Sequence, residues 1–513
     1  MWSIPVRRAA VPLATVLVAL LLAGSSAPGG ASPSLTGDLD RLLADPRLAG
    51  AEVSVLVADA ASGEVLYQHD ADALLLPAST LKTVTAAAAL ELLGEGHRFT
   101  TRVLAAGPQN GGGRLDGDLV LSGGGDPSLR EADLDALAAR VAAGGVREVT
   151  GAVLADASRY DAVPLGAGWA WDDQAEYYSP QISALTLTTD ADDDVGSVRL
   201  TLTPAGTPGG GPAAVRVTPD QAPVRVGGRV ATGAPGSADT VRVDRRPGSN
   251  ELLLSGSLPA DAGPTDEWVA IDDPARCAVA VFAAALARHG VAVRGGVREE
   301  PGPAAGAALL AAHDSAPLGE LLVPFLKLSN NGIAEHLVKE IGAVRAGQGS
   351  WAAGLAQLDG FLRAHGLAVT PARQVDGSGL SRQDLLTGRR LVALLEFARR
   401  QPWFAAWYAG LPVAGDDRRM VGGTLRSRMR GTAAAGRVHA KTGSLTGVEA
   451  LAGYVERADG RTLAFSVDVN NYVGGEVRPL VDAVAVRLAG GGGGLRSVPA
   501  GRGCAHDWEG GCG

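Results

Sequence analysis

The stretch LLLPASTLKTVTAAAALELLG, residues 74–94, predicts a helix rich in alanine and leucine that starts near Ser79 and ends at Gly94. Serine is a preferred N-cap and glycine a frequent C-cap, so Ser79 has a purely structural interpretation. Lys82 follows three residues later, and residues at that spacing share a helix face. The pair therefore also predicts a nucleophile beside a possible base, and the rest of the chain has to decide between the two interpretations.

Two further short motifs follow in the chain. Ser329-Asn330-Asn331 lies between two amphipathic helical segments. Lys441-Thr442-Gly443 comes just before VEALAGYVERADGRTLAFSVDVNN, which predicts a hairpin that turns at Asp459-Gly460. Each motif is common by chance, but their order and structural settings together indicate one active site.

This combination resembles the serine penicillin-binding proteins and β-lactamases, whose Ser-x-x-Lys, Ser-x-Asn and Lys-Thr-Gly motifs come in this order. Flanking stretches narrow the resemblance to the class C low-molecular-mass penicillin-binding proteins, which are D-alanyl-D-alanine carboxypeptidases and endopeptidases. They include LVLSGGGDPSL, GWAWDDQAEYYSPQISALT, LKLSNNGIAEHLVKEIG and DGSGLSRQDLLT. The resemblance runs from about residue 50 to residue 485. The 250-residue gap between Ser79 and Ser329 matches a branch in which inserted domains interrupt the transpeptidase domain.

The resemblance implies an α/β (α+β) fold, a penicillin-binding/β-lactamase-like transpeptidase domain with a large β-rich insertion. The residue patterns agree with it. AEVSVLVADAASGEVLYQHD predicts a hairpin, and short Val/Leu/Thr alternations cut by Gly and Pro follow from about residue 99 to 259. Helical periodicity returns at DPARCAVAVFAAALARHG. We therefore expect a discontinuous catalytic domain at 32–97 and 270–488, an insertion at 98–269 and a flexible Gly-rich tail at 489–513.

The motif residues predict acyl transfer. Ser79 would attack a carbonyl carbon and form an acyl-enzyme, with Lys82 as its base. Only about one lysine in a few thousand is neutral at pH 7, so the pKa of Lys82 must be lowered by burial and by a second cation, Lys441. Ser329 would relay the proton to the leaving amine, and the Asn331 amide would hold a substrate backbone group.

The substrate's terminal carboxylate would be bound by Lys441 and Thr442. The resemblance implies that Gly443 and Ser444 also face the substrate, and that the backbone N–H groups of Ser79 and Ser444 form the oxyanion hole. A free N–H at a helix start favours developing negative charge.

The resemblance also implies a pocket for a zwitterionic side-chain tip such as that of diaminopimelate. Asp173, with Asp172 as the alternative, would be its acidic partner, and Arg382 its basic partner. Asp173 as a turn cap and Arg382 as a solvated residue are the structural alternatives. Glu335 and His336 are interpreted as a helix surface pair, and 376–379 as a turn.

The function expected is that of a secreted serine D-Ala-D-Ala carboxypeptidase, with endopeptidase action left open. It would trim peptidoglycan stem peptides and bind β-lactam antibiotics as covalent inhibitors. The alternatives are a β-lactamase or a serine amidase or esterase with the same motifs. No Glu-x-x-Leu-Asn-like stretch lies between Asn331 and Lys441, which counts against a class A β-lactamase.

The remaining features set the context. A net charge of −9 gives no reason to expect a nucleic-acid partner. Arg7 and Arg8, an apolar run and small residues up to Ala31 predict a signal peptide at 1–31, hence an extracytoplasmic location with no integral membrane segment after cleavage. Cys504 and Cys512 could form a small disulfide loop, and Cys277 is expected to be a buried thiol. The scattered histidines predict no metal site, and no cofactor is expected.

Overall fold

The computed structural model describes residues 34–299 and 306–490. The predicted signal peptide, Cys504, Cys512 and the tail beyond Gly490 lie outside these residues. The helices are α1 (Leu35–Leu43), α2 (Lys82–Leu93), α3 (Glu131–Ala143), α4 (Pro274–Arg288), α5 (Leu318–Lys327), α6 (Asn331–Ala346), α7 (Trp351–Ala364), α8 (Gly388–Ala398), α9 (Phe404–Gly410), α10 (Arg419–Gly422) and α11 (Arg478–Leu488). Short 3₁₀ turns cover Pro46–Leu48, Ala78–Leu81, Trp171–Asp173 and Gly423–Leu425.

In the described ranges the strands form two five-stranded sheets and four smaller ones, and we call the fully antiparallel five-stranded sheet the large sheet. They are β1 (Glu52–Asp59), β2 (Val65–His69), β3 (Thr100–Ala106), β4 (Arg114–Leu115), β5 (Asp118–Ser122), β6 (Glu148–Val149), β7 (Val153–Asp156), β8 (Ser197–Thr203), β9 (Ala214–Thr218), β10 (Arg225–Gly228), β11 (Ala231–Gly233), β12 (Arg242–Arg245), β13 (Glu251–Ser255), β14 (Ser257–Pro259), β15 (Thr265–Ala270), β16 (Ala292–Val293), β17 (Val297–Glu299), β18 (Ala308–Asp314), β19 (Val438–Leu445), β20 (Val448–Glu456) and β21 (Thr462–Asn470).

The large sheet joins the two ends of the chain. Its order is β19-β20-β21-β1-β2, so the first hairpin pairs with the last one through β1 and β21. Side chains alternate between its faces, as the strand period requires. On β21, Leu463 and Phe465 pack in the core beside α1 and α11, whereas Ala464 packs in the core beside α2 and the other central helices. The predicted mixed α/β fold is confirmed.

Helix α2 lies at the centre of the catalytic region. All its residues from Lys82 to Leu90 are buried, which explains its nearly uncharged sequence. The helix ends at Gly94, as predicted, where φ is +89°. It does not start at Ser79: the 3₁₀ turn Ala78–Leu81 precedes it, and no side chain caps either element. The N-cap interpretation of Ser79 is therefore wrong.

The middle of the chain forms a separate core, which we call the inserted lobe. It begins at β3, and it contains α3 as its first helix. Strand β18 pairs with β3, β17 pairs with β7, and Cys277 and Phe282 of α4 are buried in the same core. The inserted lobe therefore extends to about residue 314, beyond the expected boundary at 269. The helical period of α4 suggested that the chain returns to the catalytic domain there. The pairing of β17 with β7 and of β18 with β3 keeps the segment in the inserted lobe, and hydrophobic periodicity cannot reveal such long-range pairing.

Within the described ranges, none of the helices combines the length and the apolar character needed to cross a bilayer.

Candidate active site

Ser79 lies in a turn that is clamped from two sides. Ala78 adopts a positive φ of 45°, a conformation that costs a non-glycine residue free energy. A Cβ on Gly379 would lie 1.9 Å from the Ala78 carbonyl oxygen, and one on Gly443 would lie 2.7 Å from that of Pro77. Only glycine at these two positions lets the neighbouring segments approach so closely, and the contacts hold the nucleophile turn in its strained form.

Lys82 is fully buried and uses all three of its donor positions. Its Nζ donates to Ser79 Oγ at 2.7 Å, to Asn331 Oδ1 at 2.6 Å and to the Ser378 carbonyl oxygen at 2.9 Å. Burial lowers the pKa of Lys82 to about 7, although the carboxylates of Asp376 and Glu335 oppose this change. A fraction of Lys82 is thus neutral near pH 7, and its contact to Ser79 can then run in the other direction, with Oγ as donor.

Lys441 is also fully buried, in the interior of β19. Its amine is therefore not a solvated surface cation. Burial, and then the charge of Lys82, lowers the pKa of Lys441 well below its usual range. The expected mechanism differs in one respect, since burial rather than Lys441 accounts for the lowered pKa of Lys82. Lys441 Nζ donates to the Thr442 carbonyl oxygen at 3.0 Å, and Lys441 does not line the cleft, whereas its neighbour Thr442 does.

The Ser329-Asn330-Asn331 motif forms the start of α6. Ser329 lines the cleft with a positive φ of 63°, and the Asn330 side chain caps the helix by accepting from Ile333 N. Asn331 accepts from Lys82 and donates to the Tyr178 carbonyl oxygen at 2.7 Å. The structure thus brings Asn331 into contact with the base, while Ser329 and Ser79 both line the cleft.

Strand β19 is the edge of the large sheet, and its outer edge forms part of the cleft. The N–H of Ala440 points away from β20 and donates to the Pro412 carbonyl oxygen. The carbonyl of Arg437 points the other way, towards β20, and accepts from the N–H of Glu456. Because backbone groups alternate along a strand, the N–H of Ser444 points to the same outer edge as that of Ala440. This direction suits the oxyanion hole that the resemblance implied.

Hydroxyl groups line the cleft at this edge. Thr442 Oγ1 donates to Thr424 Oγ1 at 2.8 Å, and Ser444 Oγ donates to the buried Glu449 at 2.9 Å. Thr442, Ser444 and Thr424 all line the cleft, and Gly443 does not. Thr424 was not predicted from the sequence, because it lies 18 residues before Thr442 in a segment without a recognised motif.

Asp173 and Arg382 both line the same cleft; Asp173 is half-buried and Arg382 is exposed, and we call this part of the cleft its mouth. Asp173 Oδ1 accepts from the Tyr178 hydroxyl at 3.0 Å, and partial burial raises the pKa of its carboxyl group. Both guanidinium Nη groups of Arg382 donate to the Thr446 carbonyl oxygen at 3.2 Å. Asp172, the alternative acidic partner, is exposed and outside the cleft.

The segment 376–381 contributes more than a turn. Asp376 accepts from Trp169 Nε1 at 2.9 Å and from the backbone N–H groups of Gly379 and Ser381, so its carboxylate shapes the loop whose Ser378 carbonyl holds Lys82. The interpretation of Glu335 and His336 as a surface pair is wrong, because both side chains are fully buried. The shared helical face of Asn331 and Glu335, four residues apart, was the available signal.

The expectation that no metal is bound stays a prediction. Among the described residues, carboxylate oxygens of Asp190, Asp192 and Asp194 lie within 4.8 Å of one another. Asp192 forms an ion pair with Arg419, and Asp194 accepts from Asn330. These contacts tie the loop to α10 and to the Ser329 segment.

The chain is similar in sequence and in fold to known carboxypeptidases. Residues 35–489 match the D-Ala-D-Ala carboxypeptidase 3 (S13) family. A D-alanyl-D-alanine carboxypeptidase of Actinomadura sp. is 46% identical over 492 residues, which cover 94% of this chain and 90% of that protein. The crystal structure of penicillin-binding protein 4 (DacB) from Haemophilus influenzae superposes with a TM-score of 0.77 at 27% identity and covers 88% of this chain and 98% of its own. A β-lactam complex of that protein gives a TM-score of 0.72 at 26% identity.

These relatives confirm the predicted enzyme class, a D-Ala-D-Ala carboxypeptidase, in preference to the β-lactamase alternative. The match includes the three motifs and the inserted lobe. The chain therefore belongs to the D-Ala-D-Ala carboxypeptidase 3 (S13) family.

Proposed function

We propose that this carboxypeptidase removes the terminal D-alanine from peptidoglycan stem peptides through an acyl-enzyme on Ser79. The observation that carries the proposal is the 2.7 Å contact between Ser79 Oγ and the buried amine of Lys82, whose pKa is lowered to about 7. A neutral lysine at this position accepts the proton of Ser79 as Oγ attacks the carbonyl carbon of the penultimate residue.

The other cleft residues complete the reaction in this proposal. The N–H groups of Ser79 and Ser444 stabilise the negative oxygen of the tetrahedral intermediate. Ser329 passes the proton to the leaving amine of the terminal D-alanine, and water then releases the acyl group. The hydroxyl groups of Thr442 and Ser444 bind the terminal carboxylate, whose negative charge favours the protonated form of the buried Lys441.

Asp173 and Arg382 are proposed to select the side chain at the third position of the stem peptide. A carboxylate and a guanidinium at one cleft mouth suit a tip with a free amine and a carboxylate. Such substrates lie in the cell wall, which fits the signal peptide predicted at 1–31 and an extracytoplasmic location. β-Lactam antibiotics would acylate the same serine.

The test combines a labelled penicillin with a diaminopimelate-containing pentapeptide and a cross-linked dimer of such peptides. We expect release of D-alanine from the pentapeptide and a penicilloyl adduct on the peptide that contains Ser79, both identified by mass spectrometry. Cleavage of the dimer would extend the activity to endopeptidase action. An adduct on Ser329, or no release of D-alanine, would contradict the proposal.

A further inference from the structure

Glu335 is a buried carboxylate that the roles above do not use. Its side chain is fully inaccessible to solvent. It accepts from the backbone N–H groups of Gly377 at 2.9 Å and Ser378 at 2.8 Å, and from Trp351 Nε1 at 2.7 Å. Within the described part of the chain it forms no ion pair with a lysine, arginine or histidine. Burying a carboxylate without a cation is costly, so its hydrogen bonds have to hold it.

Helix α6 links this carboxylate to the catalytic base. Asn331 and Glu335 are four residues apart and share one helix face. Asn331 Oδ1 accepts from Lys82 directly. Glu335 binds the N–H of Ser378, and the carbonyl of Ser378 accepts from Lys82 at 2.9 Å. One face of α6 therefore fixes two of the three partners of the Lys82 amine.

The 376–381 segment lies directly against this helix. A Cβ on Gly377 would lie 2.5 Å from Val338 Cγ2 and 2.9 Å from the Ala334 carbonyl oxygen. The segment cannot move closer to α6, and the Glu335 hydrogen bonds prevent it from moving away. The position of the Ser378 carbonyl thus depends on Glu335.

We propose that Glu335 is a positioning residue for acylation, which orients the Ser378 carbonyl so that it holds the Lys82 amine against Ser79. The inference rests on the acyl-enzyme mechanism proposed above. It assigns to α6 a second role beyond the Ser329-Asn330-Asn331 motif, because the same helix then sets both the position and the charge environment of the base.

The charge of Glu335 acts on the same amine. The titratable groups that face it are Lys82 of α2, Lys339 of α6, and Asp376 and Asp384 of the neighbouring loop. Its negative charge favours protonated Lys82, and burial raises its own pKa to about 7. The protonation state of Glu335 is therefore linked to that of Lys82, and both groups contribute to the acidic limb of the pH–rate profile of acylation.

The test compares Glu335→Gln with Glu340→Gln. Glu340 is a matched control, since it is a buried glutamate on the same helix whose partners, Arg159 and His97, lie away from Lys82. The second-order rate constant of acylation by a penicillin is measured from about pH 5 to pH 9, with thermal unfolding as the measure of folding. For Glu335→Gln we expect the rate constant at the high-pH plateau to be roughly 10-fold lower, because the Ser378 carbonyl no longer holds the Lys82 amine in place. We also expect the rise of the rate with pH, the acidic limb, to shift down by about 0.5 to 1 pH unit, because protonated Lys82 loses a favourable charge. Glu340→Gln should melt at a lower temperature with the limb unmoved.

Each other outcome decides against the inference in a distinct way. A lower plateau with an unmoved limb would indicate a structural role only, and a shifted limb with a normal plateau would indicate charge without positioning. If Glu335→Gln does not fold, Trp351→Phe replaces it, because this change removes one donor to the carboxylate and should shift the limb in the same direction by a smaller amount.

An unchanged profile in a folded variant overturns the role of Glu335 alone. Failure of penicillin to label Ser79 in the unmodified protein overturns the proposed function and this inference together.

Discussion

The protein uses acidic and basic side chains in two regions of one cleft, and the regions differ in burial. Around Ser79, the side chains of Lys82, Lys441 and Glu335 are fully buried. At the cleft mouth, Asp173 is only partly buried and Arg382 is exposed. Full burial lowers the pKa values of Lys82 and Lys441 and raises that of Glu335, and at the mouth partial burial also raises the pKa of Asp173. From the proposed roles we expect the centre to set the rate of the reaction and the mouth to select the substrate.

The largest effect should come from the nucleophile in the centre. Ser79→Ala should abolish penicillin labelling and reduce peptide turnover by about 10⁶-fold, the loss found when a serine protease loses its nucleophile. Mass spectrometry of the penicillin-treated protein and a D-alanine release assay check this. Retained turnover would mean that the strained turn at Ala78 serves another purpose.

A smaller loss should separate the two buried lysines. Lys82→Arg keeps the charge but cannot supply a neutral base, because a guanidinium does not lose its proton at any relevant pH. Acylation should fall by about 10²- to 10⁴-fold, the usual contribution of a general base. Lys441→Arg keeps the cation behind Thr442 and should lose less. The acylation rates are compared per folded molecule, since arginine is larger than the buried side chain it replaces. Equal losses in both variants would contradict the assignment of Lys82 as the base and of Lys441 as the group that attracts the substrate carboxylate.

The pH dependence of the unmodified protein should report the buried centre alone. Lys82 acts as a base only when neutral, and its pKa is about 7, so acylation should increase as the pH rises through about 7. At pH 5 the neutral fraction, and hence the rate, should be roughly 100-fold below the plateau. The rise of the acylation rate with pH is measured by stopped-flow with a penicillin. A penicillin without a free amine is used, because such a substrate adds no titrating amine of its own to the profile. A limb near pH 10 would show that burial leaves Lys82 with an ordinary pKa.

The two regions also differ in how far the sequence predicted them. Ser79 and Lys82 are three residues apart, so helical spacing alone placed them together. The contacts of Lys82 with Asn331 and Ser378 span 249 and 296 residues, and neither was predicted: the resemblance placed Asn331 in the same site, but as a group that holds the substrate backbone. Glu335 was misinterpreted because a charged residue on a helix is usually exposed, and its partners at 377–378 are 42 and 43 residues away. The extent of the inserted lobe was underestimated for the same reason, since the pairing of β18 with β3 joins residues about 210 apart.

The smallest effect should be specific to the cleft mouth. If Asp173 binds the free amine at the third position of the stem peptide, Asp173→Ala should lower kcat/KM for such a substrate by roughly 10- to 100-fold. This is the size of a lost charge-assisted hydrogen bond of about 1.5–3 kcal/mol. A substrate whose amine is acylated never makes this contact, so its turnover should barely change.

The neighbouring Asp172 supplies a matched control for that prediction, because it is exposed and outside the cleft. Asp172→Ala removes the same charge one residue away and should change kcat/KM for either substrate by less than about twofold. Loss of the Tyr178–Asp173 hydrogen bond could disturb the cleft wall, since the Tyr178 carbonyl also holds Asn331. Such a disturbance would reach the buried centre and lower the turnover of both substrates equally. Equal losses would therefore assign Asp173 to the support of Asn331, and the mouth and the centre would then act as one unit rather than as separate determinants of substrate and rate.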